Sequence, residues 1–161
     1  MIILGLDPGS QRTGYGVIRL HGRGPERVDH GVIAVPARMP LPQRLQRIYA
    51  AVREIVTRSA PAIVAVESIF HSQNARSALV LGHVRGVILL AAAEADIEIR
   101  EYPPATVKVQ VCGNGLAEKS QVAFMVARHL GLLVDPPAGD AADALAVALC
   151  AAQLAPAEAR A

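Results

Sequence analysis

Four acidic residues lie at the ends of apolar segments in this 161-residue chain. Asp7 and Glu67 each close an apolar run typical of a buried strand, whereas Asp140 and Asp143 open an alanine-rich helical pattern. A strand that ends in an acid delivers its carboxylate to the carboxyl edge of a sheet, where open α/β folds bind ligands. Carboxylates gathered there repel one another unless cations neutralise them. The pattern therefore predicts a site for hard divalent ions such as Mg²⁺ or Mn²⁺.

The chemistry that such a site performs is hydrolysis of a phosphodiester. Two ions about 4 Å apart can activate a water, bind the scissile phosphate and stabilise the departing 3′ oxygen. The carboxylates then need no proton-transfer role. A zinc site is not indicated, because Cys112 and Cys150 are isolated and the five histidines do not cluster.

Three of the four acids also have an ordinary structural explanation. Asp7 could accept backbone hydrogen bonds in the turn that Pro8 and Gly9 form. Asp140 and Asp143 are spaced i, i+3 at the start of a helix, where acids cap the first turn and complement the helix dipole. On the residues alone, both explanations stay open.

Two further positions could contact phosphate. Lys108 and Lys119 are the only lysines in the chain, and both precede the carboxylate helix. Lys119 opens a helical pattern after a glycine-rich turn, where backbone N–H groups and an ammonium can meet a phosphate. The alternative is that both lysines lie there by chance.

The segment after Glu67 holds candidate nucleic-acid contacts. Phe70 lies in a polar loop and could stack on or wedge between bases, or fold back onto the sheet. Arg76 is one of two charged residues between Ser68 and Ala93 and is a candidate DNA contact. We interpret His71 as a surface histidine.

The charge pattern suits a polyanionic partner once the acids are placed. The formal net charge is +2, and it rises to +6 if the four candidate ligands are neutralised by cations. Arginines without neighbouring acids fill the stretches 8–25 and 30–53. A solvated arginine-rich surface would look the same on charge alone.

Length and composition indicate one domain. Hydrophobic residues make up 52% of the chain, enough for one sizeable core, and we expect a domain over residues 1–154 with a frayed tail at 155–161. Two isolated cysteines fit a reducing compartment. No secretory signal precedes Asp7, and apolar runs such as 87–93 are far below the roughly 20 residues of a membrane span. We expect a soluble cytoplasmic protein.

The elements that must position these residues follow from periodicity and turn residues. Short Gly/Pro segments between the first three strands predict an antiparallel meander, and helices between the later strands predict parallel pairing. The fold is therefore α/β with a mixed sheet. Strands are predicted at 2–6, 15–20, 31–35, 62–66 and 97–102, and helices at 41–59, 74–93, 118–130 and 140–153.

The predicted helix 74–93 has two apolar faces, so it needs two partners. One face is formed by Val80, Leu81, Val84, Val87 and Ile88, and the other by Leu79, Gly82, Gly86, Leu89 and Leu90. One partner is the sheet. The other is either the same helix of a second copy, approached closely at the two glycines, or another helix of this chain.

Four segments together resemble a known family. They are IILGLDPGSQRTGYGVI, VESIFHSQNARSALVLGHVRG, TVKVQVCGNGLAEKSQV and DAADALAVAL. In this order, and across nearly the whole chain, they are similar to the bacterial Holliday-junction resolvase family RuvC.

The resemblance implies an RNase H-like fold, with a five-stranded mixed sheet flanked by helices. It implies a homodimer, joined through helix 74–93, that nicks two opposed strands of a four-way DNA junction and leaves 5′-phosphate and 3′-hydroxyl ends in recombination and repair. It also implies two Mg²⁺ per subunit, replaceable by Mn²⁺, and the branch-migration complex of the Ruv system as partner. By position, the metal ligands are Asp7, Glu67, Asp140 and Asp143, the phosphate-binding lysines Lys108 and Lys119, and the junction-contacting aromatic Phe70.

Two other functions are compatible with parts of the sequence. The run from Asp7 to Ser10, with Thr13 and Gly14, resembles a phosphate loop of actin-like ATPases and sugar kinases, but that class needs two lobes. A non-catalytic junction-binding protein would use the four acids only as caps and turns.

Overall fold

The computed structural model describes residues 1–22, 24–68 and 74–158, without the side chains of 156–158. The described part contains five strands and five helices along the chain. They are β1 (Ile2–Asp7), β2 (Arg12–His21), β3 (Gly24–Ala34), α1 (Leu41–Ser59), β4 (Ile63–Glu67), α2 (Ala75–Ala93), β5 (Glu98–Tyr102), α3 (Pro104–Cys112), α4 (Lys119–His129) and α5 (Gly139–Glu158).

The strands form one sheet in the order β3-β2-β1-β4-β5. β1, β2 and β3 pair antiparallel, whereas β4 pairs parallel with both β1 and β5. This confirms the predicted mixed sheet, with an antiparallel meander followed by parallel strands. The described residues form this single sheet. An actin-like ATPase or sugar kinase binds its nucleotide between two lobes, so the described part of the chain does not provide such a site.

Alternation along β1 decides which face of the sheet receives its acid. Leu4 and Leu6 join the core under α1 and α2, whereas Ile3 joins the core under α3, α4 and α5. Because side chains alternate along a strand, Asp7 shares the face of Ile3 and Gly5. The same alternation in β4 places Glu67 on this face, with Ile63 and Ala65.

Helix α5 lies against the sheet backbone because glycines face it. A Cβ at Gly5 would come within 2.2 Å of the Ala144 carbonyl oxygen, and one at Gly14 within 1.9 Å of the Asp140 carbonyl oxygen. A Cβ at Gly16 would likewise collide with the helix. The residues of α5 from 144 to 152 are buried, all of them small or aliphatic. This contact fixes the start of α5 beside the end of β1.

The sequence did not predict α3. Pro104 occupies the first turn, where proline loses no helical hydrogen bond, and Pro103 is the N-cap. The helix is nine residues long, too short for its periodicity to stand out in the sequence. The prediction for β3 began too late, at residue 31, whereas β3 begins at Gly24, which pairs with His21.

The last helix extends beyond the predicted range 140–153. A frayed tail was expected from Ala155, but α5 continues to Glu158 and Ala155 is 7% exposed. The residue packs into the core beneath α5, which is why the helix persists. Residues 159–161 lie outside the described part.

Helix α2 presents one covered face and one open face. Val84, Ile88, Ala91 and Ala92 are fully buried in the core shared with α1. Opposite them is an apolar groove of about 830 Å³. Its lining comprises Leu45, Ala75, Ala78, Leu79, Gly82, His83, Gly86, Val87 and Leu90. Leu79 is 66% exposed, so α1 does not cover this face.

The same helix is long and apolar enough to cross a membrane by length and composition alone. Core helices of soluble proteins meet the same criterion, and α2 is held on the sheet through its buried face.

Candidate metal centre

The sheet register brings the two strand-end acids together. Leu6 is paired with Val66 on the parallel neighbour, so Asp7 and Glu67 stand side by side at the carboxyl edge. Their carboxyl groups share a hydrogen bond. Burial, followed by the negative charges of Glu67 and Asp143, raises the pKa of Asp7 to about 8. Burial also raises the pKa of Glu67.

Helix α5 contributes the other two acids at its first turns. Asp7, Asp140 and Asp143 each present a carboxylate oxygen, and the three atoms lie within 4.8 Å of one another. Glu67 lies in the same cleft as Asp7 and Asp143, whose volume is about 250 Å³. All four predicted ligands therefore meet at one edge of the sheet. An all-oxygen, negatively charged donor set fits a hard divalent cation.

Both lysines line this cleft. Lys119 opens α4, and its Nζ donates a hydrogen bond of 3.0 Å to Asp143 Oδ2. That bond, together with the charge of Asp143, raises the pKa of Lys119. Lys108 comes from α3, the helix that the sequence did not predict, and faces the cleft beside Val107. The cleft thus combines carboxylates with two ammonium groups at its rim.

Arg12 also contacts the acidic cluster, although the sequence indicated only that it adds positive charge to the chain. Its Nε donates a hydrogen bond of 2.7 Å to Asp140 Oδ2. The hairpin register pairs Asp7 with Gly14, which places Arg12, at the start of β2, near the same edge. The sequence predicted that β1 and β2 pair antiparallel, but it did not show that Arg12 contacts Asp140.

Two candidate DNA contacts remain, Phe70 and Arg76. Phe70 and His71 fall outside the described residues. Arg76 is exposed in the first turn of α2 and lines a different pocket, on the α1/α2 side of the sheet. It is therefore not part of the carboxylate cleft.

Comparison with known proteins agrees with this architecture. The family model "Crossover junction endodeoxyribonuclease RuvC" matches residues 3–151. A relative of that name from Desulforamulus reducens is 46% identical over 153 residues, covering 95% of this chain and 94% of its own. The structure of Thermus thermophilus RuvC superposes with a TM-score of 0.89 at 35% identity, covering 98% of this chain and 97% of that one. The same protein in complex with a Holliday junction substrate gives a TM-score of 0.88 at 34% identity, covering 98% and 96%.

The sheet order and flanking helices define an RNase H-like resolvase fold. The yeast mitochondrial Holliday junction resolvase shares this fold, with a TM-score of 0.68 at 10% identity. With a family match over nearly its whole length, the chain belongs to the RuvC family.

Proposed function

We propose that this chain is a structure-selective DNA endonuclease that resolves four-way Holliday junctions in homologous recombination and repair. The observation that carries the proposal is the meeting of four carboxylates and two lysines in one cleft. Family membership supports it, and so does the likeness to a resolvase bound to a junction. The reaction is hydrolysis that leaves 5′-phosphate and 3′-hydroxyl ends.

The proposed ligands are Asp7, Glu67, Asp140 and Asp143, with two Mg²⁺ per subunit and Mn²⁺ as a substitute. The donor set fits such ions, since all its atoms are oxygens, and burial together with the charges of Glu67 and Asp143 raises the pKa of Asp7, a penalty that a bound cation would relieve. When bound, the ions would supply water activation and stabilisation of the leaving oxygen.

Basic and aromatic side chains would position the DNA around this centre. Lys119 and Lys108 would pair with phosphate oxygens beside the scissile bond, neutralising charge as it develops. Phe70 and Arg76 are proposed to contact the DNA outside the cleft. Asp7 and Glu67, fixed by strand register, and Asp143, fixed by α5, would hold their geometry without rearrangement.

We also propose that two copies associate through the open face of α2, in helix 74–93. Exposed Leu79 and Leu90, with glycines between them, support a close helix contact. Two copies would carry two clefts, which suits symmetric nicking of opposed strands. The domain is proposed as one unit, in a soluble cytoplasmic protein that works with the branch-migration complex of the Ruv system.

Product mapping on a mobile four-way junction tests the activity. With Mg²⁺ or Mn²⁺, the expected products are paired nicks at symmetry-related positions, with ends that ligase can seal. Asymmetric cutting or ordinary duplex cleavage would contradict a resolvase.

Replacing a single ligand tests the centre. Asp7→Asn removes a charged ligand but keeps the size of the side chain, so nicking should fall at least about 1000-fold while junction binding in EDTA is retained. Asp96→Asn is the matched control, because Asp96 is an exposed turn residue whose φ of 54° asparagine also adopts. Normal nicking by Asp7→Asn would refute the metal centre.

A further inference from the structure

A second polar pocket lies near the carboxylate cleft, on the other face of the sheet. Its volume is about 320 Å³, and it is formed where the β1–β2 turn meets the starts of α1 and α2. The lining residues are Ser10, Gln11, Ala37, Arg44, Arg76, Ser77, Val80 and Leu81. None of these residues is acidic, so the pocket carries two arginines without a negative charge in its wall.

Arg44 has an unused donor in this pocket. Its Nη1 donates a hydrogen bond of 3.0 Å to the carbonyl oxygen of Ser10, which fixes the guanidinium against the turn. Its Nε is buried and has no hydrogen-bond acceptor among the described residues. A buried donor without a partner is costly, and a guanidinium presents five donors in a fixed planar fork that matches a phosphate. The pocket therefore offers a rigid place for an oxyanion.

The pattern of ion pairs also favours anion binding in this pocket. Arg12, Arg53, Arg58 and Arg85 each form an ion pair with a carboxylate. Arg76 forms none with any residue in the described ranges, although it is exposed in the first turn of α2. The start of a helix adds further positive potential.

The short distance between the pocket and the carboxylates indicates that the anion is a phosphate of the DNA backbone. Ser10 follows Asp7 by three residues, so the two Cα atoms are at most about 11 Å apart. One strand of DNA carries a phosphate about every 3.4 Å along the helix axis. The separation therefore corresponds to about three nucleotides along a strand whose scissile phosphate lies at the carboxylates.

We propose that Arg44 and Arg76 form a second phosphate-binding site, which holds the DNA backbone a few nucleotides from the cut and sets its register. This inference rests on the proposed function, since it takes the junction strand as the ligand. Contacts to phosphate fix the position of a protein on nucleic acid, so the site would contribute affinity and cutting position.

Binding of a labelled four-way junction in EDTA tests the site without cleavage. Arg44→Gln and Arg76→Gln should each weaken binding by roughly tenfold and reduce the slope of log affinity against log salt by about 0.9. Arg47→Gln is the control, because Arg47 is exposed one turn after Arg44 on α1 but does not line the pocket. It should bind within about twofold of the unmodified protein.

The two arginine variants distinguish a role in DNA binding from a structural role in holding the β1–β2 turn. Arg44→Gln also loses the bond to Ser10, so its melting temperature is measured alongside. Arg76 forms no side-chain hydrogen bond or ion pair within the described residues, so Arg76→Gln decides between the two roles if the first variant is unstable. Unchanged affinity and salt slope in Arg76→Gln, or an equal loss in Arg47→Gln, would overturn the inference. Failure of the unmodified protein to nick with Mg²⁺ would count against the proposed function instead, while these binding results still decide the pocket.

Discussion

At the scale of single residues, the carboxylate pair at the sheet edge controls how the protein responds to pH. Asp7 is partly buried against Glu67, and its pKa of about 8 means that it holds a proton at neutral pH when no cation is bound. A carboxyl group in that state is the expected cost of bringing ligands together before the metal arrives.

The free energy of unfolding should therefore depend on pH in a defined direction. Asp7 ionises at about 3.8 in the unfolded chain and at about 8 in the folded one. Its stabilising contribution is complete below about pH 4 and is lost as the pH rises toward about 8, because the unfolded chain gives up its proton first.

Thermal melts in EDTA across this range measure the effect. The melting temperature of the unmodified protein should fall more steeply with pH than that of Asp7→Asn, whose amide does not titrate. Added Mg²⁺ should restore the unmodified protein most at the alkaline end. A parallel pH dependence in both proteins would show that Asp7 is not the titrating group.

The sequence predicted the acids and the lysines but not the contacts of the arginines, and the reason is physical. An acid at the end of an apolar strand is placed by alternation, which is local. The contact of Arg12 with Asp140 joins residues 128 positions apart, and that of Arg44 with Ser10 spans 34. Such pairs depend on how the elements pack, which periodicity does not encode.

At the scale of elements, the contact of α5 with glycine-bearing strands sets the position of two ligands. Asp140 and Asp143 reach the edge of the sheet because the helix backbone touches β1 and β2 directly. Their spacing in the chain was visible beforehand, but alone it fitted a helix cap equally well. Only the close packing of α5 on the strands shows that both acids lie beside Asp7.

Gly14→Ala should impair catalysis without altering any ligand. The added Cβ would meet the Asp140 carbonyl oxygen at 1.9 Å, so the start of α5 must move outward. We expect a loss of about 1–3 kcal/mol in the free energy of unfolding and a fall of about 100-fold in nicking rate.

Denaturant unfolding and single-turnover cleavage measure these two effects. Gly22→Ala is the control, because a Cβ there meets no atom within 4 Å. If Gly14→Ala nicked at the normal rate, the helix contact would not be what positions the ligands.

At the scale of the whole molecule, the open groove on α2 leaves an apolar helix face uncovered. The two-faced pattern of 74–93 predicted it, although the sequence did not show how much of the second face α1 would cover. Leu89 was assigned to the open face but packs partly against the core. The remaining stripe runs from Leu79 through the glycines to Leu90, which is 51% exposed.

Gly86→Glu tests association through this stripe. No atom lies within 4 Å of a Cβ at Gly86, so the single chain should fold normally. A carboxylate in an apolar helix contact is costly to bury, so the variant should be monomeric and should nick without coordinated resolution. Light scattering and junction-resolution assays provide the readouts.

Ala50→Glu places the same charge on an exposed position of α1 outside the groove and should remain dimeric. Persistence of the dimer in Gly86→Glu would locate the interface elsewhere.

The ion pairs around the cleft have a further consequence. Lys119 on Asp143 and Arg12 on Asp140 act as internal counterions for these ligand carboxylates. Divalent cations bound to those carboxylates would free both side chains at the rim, where their charge could pair with a phosphate. Loading with metal and capture of DNA should then reinforce each other, and by thermodynamic reciprocity a bound junction should raise metal affinity by the same factor.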